Sequence, residues 1–425
     1  MTFTKLHTPK GTRDYLPIEV ERYRYIEDEL REIFKLWGYQ EVRSPTIEFV
    51  EALSTGVGPE LVDNTFKFQD FDGKILALRT EMTAPVARIV TTRMTIVPEP
   101  IRLSYVSNVF RHSQSYVERG REFWQAGVEL IGCNTSEADG EILALLISSL
   151  RKLGLKEVRV DVGHVSLLKD LLKATGLDEE KKGILQSLLA YRDEARLQKF
   201  MDQNNFPSKL REVFLQFSCC RRIDEVTSVS TGSSEYGKAG DHLRNLLEVK
   251  DVLADYGVEN FVFFDFSLTR KIEYYTGMVF EASTPNLGLP LGGGGRYDDF
   301  IEKFGKLKLP ATGFALEIEK CLQALMAQGF QIPEKTKAKI LVSSEFKKAA
   351  IKAARVFRDA GVVASLDVTE SGEKKTMEYA SLAGIDYVVF VGSSLEKPAT
   401  VYDVRANFSR NMMIEKFLQS VGGRS

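Results

Sequence analysis

The segment Arg121-Glu-Phe-Trp-Gln-Ala-Gly-Val-Glu-Leu-Ile-Gly132 constrains the chain most, because it reads as a strand with chemistry on one side only. Alternation sends Trp124, Ala126, Val128 and Leu130 to one face and Phe123, Gln125, Gly127 and Glu129 to the other. Water on the second face would account for Gln125 and Glu129. It does not account for Phe123 and Gly127 beside them, which suit the floor of a ligand site, since a strand glycine admits close approach to the backbone. Leu76 to Thr83 repeats the theme, with Ala77, Arg79, Glu81 and Thr83 predicted on the face opposite Leu76 and Leu78. Two neighbouring strands that each offer carboxylate, amide or guanidinium groups from one face outline a polar pocket.

Two further segments read both ways. Leu291-Gly-Gly-Gly-Gly-Arg-Tyr-Asp298 lacks the Lys-Ser/Thr pair of a P-loop. It is either a flexible turn or a side-chain-free strand over which a ligand lies, with Arg296 placed to meet an anion. In Thr269-Arg-Lys-Ile-Glu-Tyr-Tyr-Thr-Gly277, the two tyrosines suit a core or a pocket wall. Arg270 there suits a salt-bridged charge or a carboxylate clamp.

The surrounding pattern predicts an α+β fold. Tyr23, Ile26, Leu30, Ile33 and Phe34 recur at helical spacing up to Gly38, a glycine cap. Asp72-Gly73 between two strand-like runs predicts a hairpin. Strands follow at 101–111 and 122–131, a helix from Ser136 to Leu153, and a strand through Val158, Val160 and Val162. Residues 164–247 read as an inserted helical subdomain. Strands return at 261–267 and 276–282, with a helix beginning near Gly313. After a lysine-rich linker the texture becomes βαβαβ. The domains are therefore placed at 1–328 and 335–425, the second a small α/β domain.

Composition excludes several classes. At 44% hydrophobic and 27% charged residues the chain is not disordered, and a net charge of −2 gives no global field for nucleic acid. No apolar run approaches the roughly 18 residues of a membrane span. The N-terminal residues lack a secretory core, which predicts a cytoplasmic protein. Cys133, Cys219, Cys220 and Cys321 are not at zinc-ligand spacing, so they are expected as small buried hydrophobes, with no metal site.

Leu78-Arg-Thr-Glu-Met-Thr-Ala84, Val109-Phe-Arg-His112, the Phe123-to-Gly132 strand, Arg270 to Glu281 and Gly293-Gly-Gly-Arg-Tyr-Asp298 together resemble the class II catalytic core of histidyl-tRNA synthetase. More closely they resemble its non-synthetase paralogue, the regulatory subunit of the short-form ATP phosphoribosyltransferase, which opens histidine biosynthesis. The resemblance runs from Pro9-Lys-Gly-Thr-Arg-Asp14 into the C-terminal domain, which is similar to an anticodon-binding domain. It implies a class II synthetase-like antiparallel sheet and an L-histidine pocket made by Glu81, Thr83, Arg111, Gln125, Glu129, Arg270, Tyr274 and Tyr275. Carboxylates suit the ammonium and imidazole N–H donors, and arginine suits the ligand carboxylate.

The same resemblance shows where this chain departs. Ser113 stands where synthetases carry a glutamate that holds adenine, and Lys320 where they carry a phosphate-gripping arginine. Glu317 replaces a glycine, putting negative charge where a polyphosphate would lie. Lys271-Ile-Glu273 replaces a common Gly-Leu-Asp. The implied function is a regulatory subunit with no catalytic residue and no cofactor, required for the activity of the short catalytic subunit and for histidine feedback. An active histidyl-tRNA synthetase is the alternative. The implied assembly is a homodimer, through Pro45 in Val42-Arg-Ser-Pro-Thr-Ile47, within a hetero-octamer with the catalytic subunit. Neither a membrane nor tRNA is an expected partner.

Overall fold

The structure, a computed structural model, describes residues 6–55, 58, 62–112, 120–222, 238–268, 274–285, 287–333, 338–369 and 372–421. It divides into two compact units, Met1–Ile332 and Pro333–Ser425.

The larger unit opens with α1 (Pro17–Leu36), whose first turn begins with a proline and whose Glu19 side chain accepts from the Leu16 amide at 3.0 Å. It ends at Gly38, which adopts φ +85°, as its place in the sequence predicts. Next come β1 (Gln40–Glu41), β2 (Ile47–Phe49), the short α2 (Val50–Ser54), β3 (Lys67–Gln69) and β4 (Ile75–Leu78). The last two form the hairpin predicted around Gly73, and with β2 they make a three-stranded sheet ordered β2-β4-β3. After α3 (Thr83–Arg93), β5 (Ile101–Phe110) and β6 (Glu122–Ile131) pair antiparallel.

Beyond β6 come α4 (Ser136–Lys152), capped by Thr135, and β7 (Arg159–His164). The helical insertion follows as α5 (Val165–Ala174), α6 (Glu179–Tyr191), α7 (Glu194–Gln203), α8 (Ser208–Cys219) and α9 (Ala239–Asp255). The chain then returns through β8 (Val262–Phe264), β9 (Met278–Ser283), β10 (Gly292–Arg296), β11 (Ala311–Glu317) and α10 (Ile318–Ala327). Eight strands form the main sheet in the order β1-β5-β6-β11-β10-β9-β7-β8, with antiparallel pairing everywhere except at its two ends.

Each face of this sheet packs its own core. Ala126, Val128 and Leu130 join α1, α4 and the helical insertion in the larger apolar cluster. Tyr105, Phe123, Tyr274, Tyr297 and Phe300 belong to the cluster beneath α3 on the other face. The predicted alternation of β6 between two faces is therefore real, and each face meets a separate cluster.

Three expectations are corrected. The helix expected near Gly313 starts five residues later, because 311–317 is a strand buried on both faces, and a short apolar run does not distinguish the two. The strand expected to continue to Thr83 ends at Leu78, and Thr83 opens α3; Pro85 in that helix's first turn is the signal that decides it. Of the cysteines, Cys220 and Cys321 are buried, but Cys219 is exposed and Cys133 half-buried.

The smaller unit carries β12 (Lys339–Ser343), α11 (Lys347–Asp359), β13 (Val363–Leu366), α12 (Glu373–Leu382) and β14 (Tyr387–Phe390), the anticipated βαβαβ with parallel pairing. An antiparallel hairpin, β15 (Ala399–Asp403) and β16 (Phe408–Met412), and a final helix α13 (Ile414–Val421) complete it.

The glycine run is a buried strand, not a turn. A Cβ at Gly294 would lie 1.9 Å from the Gly313 carbonyl oxygen and 2.7 Å from the Phe314 Cα, both backbone atoms. Gly294→Ala is therefore expected to destabilise the larger unit by at least the ~1–3 kcal/mol usual for overpacking. Chemical denaturation followed by tryptophan fluorescence measures it.

Candidate functional site

The site is built on β5 and β6, the N-terminus of α3 and the residues flanking β10. Glu81 precedes α3, and its carboxylate accepts from the backbone amides of Thr83 at 2.6 Å and Ala84 at 2.8 Å. These are among the first N–H groups of the helix, which lack partners within it, and the positive end of the helix favours the charge. Thr83 then donates its hydroxyl to Glu129 Oε1 at 3.1 Å and lies 3.4 Å from the Tyr274 hydroxyl. Two carboxylates thus share one threonine.

Glu129 is 2% exposed. Besides Thr83, the Tyr105 hydroxyl donates to its Oε1 at 3.2 Å and the Tyr297 hydroxyl donates to its Oε2. Burial pushes the Glu129 carboxyl up to about 8, against the pull of these hydroxyls and with the help of the nearby Glu81 charge. Burial also raises Glu81, and it holds the Tyr105, Tyr274 and Tyr297 phenols well above their usual value. The phenols accordingly keep their protons and serve as donors.

Of the residues expected here, the structure brings together Glu81, Thr83, Glu129, Tyr274 and Tyr275, with Gln125 on the same face of β6 as Glu129. Gln125 is 7% exposed, and its Oε1 accepts no hydrogen bond. A buried amide oxygen without a donor is costly, and it points toward a donor brought from outside. Tyr274 is buried against Phe300 at 4.5 Å between ring centroids, and half-buried Tyr275 packs 4.8 Å from it. Arg111 follows β5; its Nε donates to the Thr80 carbonyl at 2.9 Å, its guanidinium lies over the Phe123 ring at 5.1 Å, and its charge acts on Glu81. Arg270, with Lys271 to Glu273, lies outside the described residues, as does Ser113.

Tyr105 and Tyr297 were not singled out beforehand. Tyr105 shares a strand face with Leu103 and reads as a core aromatic, and Tyr297 sits inside the glycine-rich family motif with no role of its own assigned.

Two readings are overturned by what fills the space. Gly127 does not open the backbone to a ligand: a Cβ there would sit 2.3 Å from the Phe314 carbonyl oxygen and 2.6 Å from the Tyr105 hydroxyl. Arg296 does not await an anion. It is buried, donating to Asp139 at 3.0–3.1 Å, to Asp298 at 3.0 Å and to the Cys133 carbonyl at 3.0 Å, and it thereby pins the glycine strand to α4.

Two residues before Gln125, Phe123 also lines a cleft of about 610 Å³ bounded by Gly11 to Arg13, Tyr15, Glu317, Glu319 and Lys320. Lys320 and Glu317 are both largely buried, and they form an ion pair at 2.9 Å. Glu319 accepts from the Trp124 amide at 3.1 Å, and burial pushes its carboxyl up to about 7. Among the described residues, no helix is long and apolar enough to cross a membrane.

Comparison with known proteins is consistent along the whole chain. Residues 11–321 match the protein-family model described as Histidyl-tRNA synthetase, and residues 335–421 match one described as Anticodon binding domain. The histidine–tRNA ligase of Thermococcus kodakarensis is 35% identical over 436 residues, covering 98% of each chain. The ATP phosphoribosyltransferase regulatory subunit of Acetivibrio thermocellus is 33% identical over 392 residues, 91% of this chain and 93% of that one. A crystal structure described as an ATP phosphoribosyltransferase regulatory subunit/histidyl-tRNA synthetase from Bacillus halodurans C superposes with a TM-score of 0.77 at 30% identity, over 92% of this chain and 99% of that chain. Both names recur among further relatives of similar identity.

Two stability measurements follow from the buried charges. Glu129 titrates near 8 in the folded chain, against an ordinary value of 4.5, so between these the folded state holds a proton that the unfolded state has lost. Its contribution is then least unfavourable at low pH, and stability falls as pH rises through this window. Glu129→Gln should raise the melting temperature relative to the parent most above pH ~8 and least near pH ~4.5. Asp139→Ala should cost up to about 3–5 kcal/mol by removing the fully buried counter-charge of Arg296 and leaving it only the half-exposed Asp298.

Proposed function

The chain belongs to the histidyl-tRNA synthetase family, and we propose that it is a regulatory subunit of ATP phosphoribosyltransferase which binds L-histidine and performs no adenylation itself. The observation that carries this reading is the buried Glu317–Lys320 ion pair. The family resemblance puts a glycine and a phosphate-gripping arginine at these two positions. Here the lysine is already neutralised, and a phosphate charge about 4 Å from the Glu317 carboxylate would meet roughly 4 kcal/mol of repulsion at an effective dielectric near 20. A bound polyphosphate would have to break the pair and still face that carboxylate.

The amino-acid half is a different matter. Glu81 and Glu129 offer carboxylates, Arg111 a guanidinium and Gln125 an amide oxygen lacking a donor. That set suits a zwitterionic ligand whose side chain carries N–H groups, and the surrounding tyrosine rings suit a flat one. In this reading Glu129, Gln125 and the tyrosines receive the imidazole. Glu81, Thr83 and Arg111, with Arg270, receive the ammonium and carboxylate. Discrimination comes from the polar groups left unpaired when another amino acid enters.

A histidine site in this chain governs phosphoribosyl transfer in another only if histidine binds the two states of their complex unequally. The partner is accordingly the short catalytic subunit, with a homodimer of this chain as the assembling unit. Support for a homodimer is the three-stranded sheet, where Ile47, Phe49, Phe68 and Ile75 are exposed beside the Pro45 segment. The C-terminal domain is a retained anticodon-binding-like module with no assigned part in histidine binding.

A second reading, an active histidine–tRNA ligase, is favoured by the near full-length match to the Thermococcus kodakarensis ligase. Pyrophosphate exchange separates the two. We expect the purified chain to bind histidine by calorimetry, to lose affinity about tenfold or more in Glu129→Ala, and to show no histidine-dependent exchange. Exchange at catalytic protein concentrations would establish the ligase reading instead.

A further inference from the structure

The turn between α6 and α7 carries a residue that its backbone does not favour. The Arg192 amide donates to the Leu189 carbonyl at 3.1 Å and the Asp193 amide to the Leu188 carbonyl at 3.2 Å. That pair of hydrogen bonds ends a helix with a left-handed residue, usually glycine. Here the residue is Arg192, at φ +54° and ψ +38°. A side chain is disfavoured in this conformation, which glycine adopts without steric cost. The Asp193 carboxylate then accepts from the Arg196 amide at 3.0 Å and begins α7, so the backbone is fixed on both sides of the arginine.

What the arginine gains is a contact 73 residues further along the chain. Its Nη2 donates to Asp265 Oδ2 at 3.0 Å, and both side chains are largely buried. Asp265 follows β8 and shapes the turn after it. Its amide donates to the Val162 carbonyl of β7 at 2.8 Å, its Oδ1 accepts from the Ser267 amide at 2.9 Å, and its carbonyl accepts from the Leu268 amide at 3.1 Å. The segment that begins there carries Tyr274 and Tyr275, and the Tyr274 hydroxyl lies 3.4 Å from that of Thr83. Its far side is fastened by the first helix of the same insertion. The Val165 amide donates to the Gly277 carbonyl at 2.9 Å, and the Ser166 hydroxyl donates to the Thr276 carbonyl. Both belong to the first turn of α5, which His164 caps by accepting from the Leu167 amide at 3.1 Å. The helical insertion thus holds 265–277 near both ends.

Resting on the histidine reading above, we propose that the helical insertion sets the affinity of the pocket, with Arg192 as a positioning residue: through Asp265 it fixes the segment that presents Tyr274 and Tyr275 to the ligand. Arg192 itself touches no ligand. A ring that packs on Tyr274 binds best where the phenols are already in place, since ordering them on arrival costs affinity. A charge-assisted hydrogen bond between two largely buried groups supplies that order from a distance. It also accounts for an arginine where the backbone favours glycine, because the side chain serves Asp265 rather than the helix end. The α6–α7 turn and the pocket are then linked, and a shift in either acts on the other.

The backbone preference separates this role from a merely structural one. In Arg192→Gly the relief of the left-handed conformation offsets the lost ion pair, so the melting temperature should stay close to the parent's. Histidine affinity, measured by calorimetry on the full chain, should nevertheless fall at least ~3-fold. Hydrogen exchange of peptides covering Asp265 to Gly277, followed without ligand, should quicken. Arg192→Lys keeps the charge and should lie nearer the parent in both readouts. Unchanged exchange in Arg192→Gly overturns the proposal whether or not histidine binds, and so does quickened exchange with unaltered affinity. A much lower melting temperature with exchange quickened throughout the larger unit also overturns it, since Arg192 would then be structural. Failure of the parent to bind histidine refutes the histidine reading and the claim on affinity, while the exchange experiment still decides whether Arg192 holds the segment.

Discussion

The carboxylate of Glu129 lies in space that any side chain at position 313 would occupy, and the larger unit is arranged around that fact. Gly313 stands opposite Glu129 across the β6–β11 pair and opposite Gly295 across the β10–β11 pair. Each glycine is closed over by the chain itself: Gly127 by the Tyr105 hydroxyl, Gly295 by the Tyr275 ring, Gly313 by Glu129. Removing three side chains from the middle of the sheet makes room for large polar groups inside it. A buried carboxylate is unfavourable unless hydrogen-bonded, so hydroxyls from three different elements converge on it. The Arg296–Asp139 pair anchors the end of the glycine strand to α4 and keeps that geometry in register.

Much of this was legible in the sequence where a local rule settles the matter. The alternation of 123–130 assigned the two faces of β6 correctly, and Gly38 and Gly73 marked a helix end and a turn. The candidate pocket residues come from the same strand and from family motifs. What escaped detection depends on contacts far apart in the chain. Nothing near Gly127 says that a tyrosine hydroxyl from β5 fills the space above it. Nothing near Arg296 says that Asp139, on a helix more than a hundred residues earlier, neutralises it. Glu81 was placed on a strand because alternation continued past Leu78. The competing signal, Pro85 in the first turn of α3, outweighs it, and the Glu81 carboxylate accepts from the first amides of the helix that Thr83 opens.

The two halves of the site differ in how their charges are balanced. In the proposed amino-acid pocket, carboxylates meet hydroxyls and backbone amides, and the Gln125 oxygen has no donor. In the adjoining cleft the Lys320 charge is already met by Glu317 and the Arg13 charge by Glu19 at 3.3 Å, an arrangement with little left for a polyphosphate. On the proposed reading, the first half receives an amino acid and the second no longer activates it. That division of labour is the physical basis of the regulatory reading.

The central claim is that occupancy of this pocket controls an active site on another chain. The most direct measurement is the turnover of the short ATP phosphoribosyltransferase catalytic subunit, reconstituted with this protein and titrated with histidine. The account predicts that the chain alters turnover in the absence of histidine and that histidine then inhibits the complex. In Glu129→Ala the inhibition should require a higher histidine concentration. Separate elution of the two proteins, with turnover the same whether or not this chain is present, would contradict it.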